Sequence, residues 1–157
     1  LTPLLRAAGH TVAGTTRSKD KAEAIAALGA EPVVVDVFDA EVLARAVKAA
    51  APQVLMHQLT DLPFAPGTPR YDEGLERNAA LRVAGTRNLA DAAKAAGVRR
   101  MISQSIAFVY AQSEGARTER DPLDVSATGA RKRAVDGVVA LVMAIGRATV
   151  TSGVTSR

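Results

Sequence analysis

The run "EPVVVDVFD" at residues 31–39 restricts the fold of this chain more than any other stretch. Val33, Val34, Val35 and Val37 leave no polar alternation, so a strand here must be covered on both faces. Such cover needs helices, and helical periodicity stands on either side of the run. Before it, Ala22, Ile25 and Ala26 share one face; after it, Leu43, Ala46, Val47 and Ala50 follow at i, i+3, i+4 and i+7. Ser18 and Asp39 stand where they can cap those helices, and Gly9, Gly29 and Gly97 stand where helices end.

The same alternation continues. "PQVLMHQL" and "VRRMISQSIAFVY" read as two more strands, and a long helix from about Glu73 to Ala96 lies between them. Strands are expected at 11–16, 32–37, 53–58 and 98–104, and a last helix at 127–143. "PFAPGTPRY", with three prolines and a glycine, reads as a loop, and "AQSEGARTERDPLD" as a polar one. Strands alternating with helices over short crossovers predict a doubly wound parallel sheet with helices on both faces. One domain is expected over 1–143, followed by an irregular tail at 144–157. In such sheets ligands bind outside the carboxyl ends of the strands, so the residues after each strand are the ones to inspect.

Composition removes several classes of function. The chain has no cysteine, which excludes disulfides and thiolate-metal sites. No apolar run approaches the roughly 18–20 residues of a membrane span, and the first residues do not read as a signal peptide. A cytoplasmic protein without a membrane partner is the expectation. The net charge is +4, but Lys and Arg are scattered, with no Trp and only two Tyr. That reads as solvated surface rather than a nucleic-acid face. No Ser-His-Asp order or metal-ligand spacing stands out, and His57 reads as a satisfied histidine beside the site.

Five pieces in order, "LTPLLRAAGHTVAGTTR", "VVVDVFD", "VLMHQLT", "AGTRNLADAAKAAGVRRMISQS" and "FVYA", resemble the extended short-chain dehydrogenase/reductase superfamily. Within it they look like the NAD-dependent epimerase/dehydratase branch, over roughly residues 1–140. The resemblance implies a Rossmann-like domain whose first strand and Gly-rich phosphate turn lie upstream of Leu1, so that the chain is an N-terminally truncated member. It also implies an NAD(P)-dependent oxidoreductase acting on a small molecule, a nucleotide sugar among the candidates, with a homodimer left open. The alternative is a non-catalytic NAD(P)-binding sensor or scaffold of the same fold.

The family's pattern assigns roles residue by residue. Arg17 ends the first visible strand where NAD-preferring sites carry an acid, so it points to the 2′-phosphate of NADP, with NAD as the alternative. Its other reading is a solvated arginine flanking a helix. Asp36 and Val37 would border the adenine, or Asp36 would only stabilise its turn. Leu59 and Thr60 fall where two small residues usually let the nicotinamide ribose pass. Gly85 would allow close packing of helix on sheet, and three residues before it Arg82 replaces an asparagine of the proton relay.

The family's chemistry uses Tyr-x-x-x-Lys plus a Ser or Thr after the preceding strand. Lys132 matches the lysine, or is a solvated lysine of its Arg-Lys-Arg run, and Thr128 occupies the tyrosine position. Tyr110 is a candidate substitute acid, or a core or loop tyrosine with a satisfied hydroxyl. The hydroxyl position falls on Ile106, flanked by Ser103 and by Ser105, the latter counted among the cofactor-binding positions. With the phosphate turn missing and Thr128 and Ile106 in these places, the fragment is expected to be inactive.

Overall fold

A computed structural model describes residues 1–61, 69–118 and 120–150. The elements follow in the order α1 (Thr2–Ala7), β1 (Ala13–Thr16), α2 (Ala22–Ala27), β2 (Glu31–Val34), α3 (Ala40–Ala50) and β3 (Val54–His57). Then come α4 (Pro69–Ala80), α5 (Thr86–Ala95), β4 (Arg100–Ser103) and α6 (Gly129–Val150). All four strands are parallel to their partners. The valine run, expected to be covered on both faces, is covered on one: Val33, Val35 and Val37 face the core of α3 and α5, whereas Val34, on the opposite face, is 44% exposed. The strands form two pairs, β1–β2 and β3–β4, rather than one continuous sheet. Among the described residues no strand joins β1 to β3.

The register shows why the arrangement is doubly wound. Gly14 pairs with Pro32, and Thr15 with Val33. A Cβ built on Gly14 would lie 2.8 Å from Ile25 Cγ2, so α2 covers that face. Val33, one residue along and on the opposite face, packs against the core of α3 and α5. That core contains Val35, Val37, Leu43, Val47, Leu81, Leu89 and Ala92, with Leu55 and Met101 of the second pair packed against it. One helical layer therefore spans both strand pairs.

Local chemistry explains most boundaries. The Asp39 carboxylate accepts from the Val42 N–H at 3.0 Å and caps α3 as expected. Ser18 does not cap α2: its side chain makes no capping bond, and a 3-10 turn at Lys19–Lys21 intervenes. The Thr16 hydroxyl organises this exit instead, accepting from the Ser18 N–H at 3.2 Å. Pro69 opens α4 four residues before the expected start, at a position where its missing N–H costs nothing. The rest of the expected proline loop, 62–68, lies outside the described residues.

The expected helix at 73–96 is one helical run with a π turn at Leu81–Gly85 between α4 and α5. Gly85 sits where a Cβ would lie 3.1 Å from Val37 Cγ1, the close helix-on-sheet approach its sequence context suggests. At the other end α6 continues to Val150, well into the segment expected to be irregular. Residues 144–150 hold good helix formers and no proline, and Gly146 alone costs only about 1 kcal/mol. Residues 151–157 lie outside the described residues. Among the described residues no helix is long and apolar enough to cross a membrane.

Candidate functional site

The carboxyl ends of β1, β2 and β3 surround one cavity of about 360 Å³. Its β1 wall is polar and basic: Thr15, Thr16, Arg17, Ser18 and Lys21. Its floor is apolar, from Val35 and Val37 after β2, Leu43 of α3, Leu81 of the π turn and Leu89 of α5. Leu59 and Thr60, from the exit of β3, close the remaining side. Of the residues expected to bind cofactor, Arg17, Val37, Leu59 and Thr60 line this one cavity.

Arg17 is half exposed and its Nη2 lies 3.8 Å from Asp61 Oδ2. Asp61 also pairs with Arg77 of α4 at 3.1 Å. The β3 exit is held in place by Asn78, fully buried on α4, whose side-chain oxygen accepts from the Thr60 hydroxyl at 3.3 Å and the Asp61 N–H at 3.1 Å. Asn88 does the same for the β2 exit, donating to the Val37 carbonyl at 2.9 Å. Asp36 makes a local turn, with Oδ1 accepting from the Phe38 N–H at 3.0 Å. Neither asparagine was legible beforehand, because a lone Asn in a helix has no pattern that names its distant partner.

The positions expected to do chemistry, and Asp36 and Ser105 of those expected to bind cofactor, do not line the cavity. Lys132, on α6, is held by both carboxylate oxygens of Asp136 at 2.9 and 2.8 Å and is half exposed. Thr128 sits one residue before α6, its carbonyl accepting from the Lys132 N–H at 3.2 Å. Tyr110 forms an isolated antiparallel bridge with Leu123, and its carbonyl accepts from Arg131 Nη2 at 3.0 Å. Ser105 is exposed beyond β4. None of these four residues lines the cavity.

A second polar group lies under the β3–β4 pair. His57, fully buried, contacts the Thr86 hydroxyl through Nε2 at 2.9 Å, and its Nδ1 accepts from the Leu59 N–H at 3.3 Å. Because Nδ1 is an acceptor, the ring proton resides on Nε2, which donates to Thr86. Burial, and then the nearby Arg82 charge, lower the His57 pKa to about 4. The ring is neutral near pH 7 and both nitrogens are engaged. His57 is therefore a clasp between β3 and α5, not a base.

Residues 1–142 match the sequence profile of the NAD(P)H-binding family. A 3-diazoavenalumate denitrifying reductase from a Streptomyces species is 41% identical over 124 residues, 78% of this chain and 39% of that protein. Among solved structures, a candidate epimerase from Burkholderia cenocepacia is similar at TM-score 0.66 and 25% identity, over 94% of this chain and 45% of its own. The Bordetella bronchiseptica enzyme WbmG, solved with NAD and UDP, is similar at TM-score 0.63. At 22% identity, over 90% of this chain and 45% of its own, that likeness speaks to fold alone. The chain thus spans less than half the length of each of these relatives.

Proposed function

The chain belongs to the NAD(P)H-binding family, matched over residues 1–142, and we propose that it holds NADPH in the cavity at its strand ends, as part of an oxidoreductase of the extended short-chain dehydrogenase/reductase type. The observation that carries this reading is the polarity of the cavity. Arg17, Lys21, Thr16 and Ser18 gather at the end of β1, while Val35, Val37 and Leu89 form an apolar floor. Such a floor suits a flat base, and the cations beside it suit a phosphate on the adjoining ribose. Val37 and Leu59 would bound the base and the sugar, and the free edge of Asp36 stands beside the same exit.

When bound, the dinucleotide supplies or takes up a hydride. This chain's residues bind and orient it: Arg17 through charge, Asn78 and Asn88 by fixing the exits of β3 and β2. The named reductase among the relatives favours reduction of a small molecule over epimerisation. The test is a titration of the isotopically labelled protein with NADPH, followed by amide shifts. Saturable shifts at Thr16, Arg17, Ser18, Leu59 and Thr60 support the reading; shifts confined to other surfaces, or none, reject it.

A second reading, a nucleotide sensor without chemistry, draws on one observation. Lys132 is paired with Asp136 away from the cavity, and Thr128 stands where the family's tyrosine would be. A phenol that moves a proton has no counterpart in a threonine hydroxyl, which is far less acidic. Turnover of NADPH with any carbonyl or diazo acceptor would reject the sensor.

A further inference from the structure

Arg82 is 5% exposed, and its Nε and Nη1 have no hydrogen-bond partner. Among the described residues no carboxylate pairs with it. It lies in the π turn, which widens the helix by one residue, and its charge is near enough to His57, at the end of β3, to act on that ring. Burial depresses its pKa, yet a guanidinium stays charged in proteins. A buried charge with no partner costs several kcal/mol, and buried N–H groups in native proteins are almost always satisfied. His57 offers it nothing, because both imidazole nitrogens are already used.

A second unpartnered donor lies beside His57. Ser103 is the register partner of His57, so both side chains point toward the π turn and α5. The Ser103 hydroxyl is buried and also has no partner. The unsatisfied groups are thus all able to donate and lack an acceptor. The cations facing a cofactor phosphate, Arg17 and Lys21, stand at the other strand pair, at the end of β1.

We propose that Arg82, with the Ser103 hydroxyl, receives the carboxylate of a small anionic substrate, and so selects acids for the reaction of the β1–β3 cavity. The inference rests on the oxidoreductase reading for calling the anion a substrate; the anion site itself does not. Because the guanidinium is enclosed, only a terminal, compact anionic group reaches it. An anion held there would stand beside the exit of β3, next to Leu59 and Thr60, where the reacting end of a dinucleotide bound from the β1 side would arrive.

The experiment uses the protein without NADPH and benzoate as the probe. The Arg82 Nε–H resonance is expected to shift saturably with benzoate, and benzoate is expected to raise the melting temperature. Arg82→Gln should melt at or above the ligand-free wild type and lose the benzoate response, whereas Arg82→Lys should keep a weakened one. Inorganic pyrophosphate is the contrasting arm. A shift of Arg82 with pyrophosphate but not benzoate would reassign the site to a cofactor phosphate and overturn the substrate inference. No shift with either, in wild-type protein that needs no variant to fold, would overturn the anion site itself. NADPH shifts at Thr16, Arg17 and Ser18, read separately, show whether the oxidoreductase reading stands or falls apart from this one.

Discussion

His57 and Thr86 are joined by a 2.9 Å hydrogen bond that ties the last residue of β3 to the first residue of α5. The bond requires a neutral imidazole, and the pH dependence of stability follows. The folded pKa, about 4, is below the ordinary imidazole value of 6.5. Below 6.5 the unfolded chain takes up a proton that the folded chain refuses, so stability is complete above that pH and falls as pH drops toward 4. The loss is about 3 kcal/mol over this window. Urea unfolding at successive pH values should show it in the wild type and not in His57→Gln. Parallel pH profiles for the two proteins would contradict it.

Two glycines of α6 should respond to alanine with opposite signs. A Cβ on Gly137 would lie 3.1 Å from Ala79 Cα, backbone of α4 that cannot move aside, whereas Gly146 has nothing within 4 Å. Gly137→Ala should lose about 1 kcal/mol net, the crowding exceeding the gain in helix propensity. Gly146→Ala should gain up to about 1 kcal/mol. Thermal unfolding of both variants checks the pair, and a gain at Gly137 would mean the α4–α6 crossing is looser than described.

These contacts also mark where the sequence stops being legible. The β2 strand, the Asp39 cap and the strand-exit position of Arg17 were readable because a β-branched run, a cap and a strand end are local properties; the exposure of Val34 was not, because cover of the second face depends on distant packing. The π turn was not, since Leu81–Gly85 continues the same helical periodicity and only packing against Val37 and the strand pair distinguishes it. The His57 clasp was legible only as a satisfied histidine; its partner, 29 residues away, has no local signature. The Tyr-x-x-x-Lys spacing predicts Thr128 and Lys132 on one helical face, but α6 starts at Gly129, so only Lys132 is on it. Spacing along a helix does not say which cavity that helix faces, and α6 packs on α4 and α5 instead.

Asp61 divides its charge between Arg77 and Arg17. Asp61→Asn should free Arg17 and remove a negative charge from the approach of a phosphate. NADPH affinity should rise about fivefold at low ionic strength, corresponding to roughly 1 kcal/mol, with the gain shrinking as salt is added. Stability should change by less than about 1 kcal/mol, because the pairs are partly exposed. Calorimetric titration at two salt concentrations measures this; weaker NADPH binding in the variant would show that Asp61 holds Arg17 in its binding position.

The most direct measurement compares NADPH and NADH binding in the wild type and in Arg17→Ala. The two dinucleotides differ only in the 2′-phosphate, and Arg17 is the guanidinium at the end of β1 in the cavity wall. A hydrogen bond to a charged group contributes about 1.5–3 kcal/mol, or roughly 10- to 100-fold in affinity. Wild-type protein should bind NADPH more tightly than NADH, and Arg17→Ala should lose NADPH affinity by about tenfold or more while NADH binding stays the same. An unchanged preference in Arg17→Ala, or equal affinity of the wild type for both dinucleotides, would contradict the assignment of this cavity to NADPH.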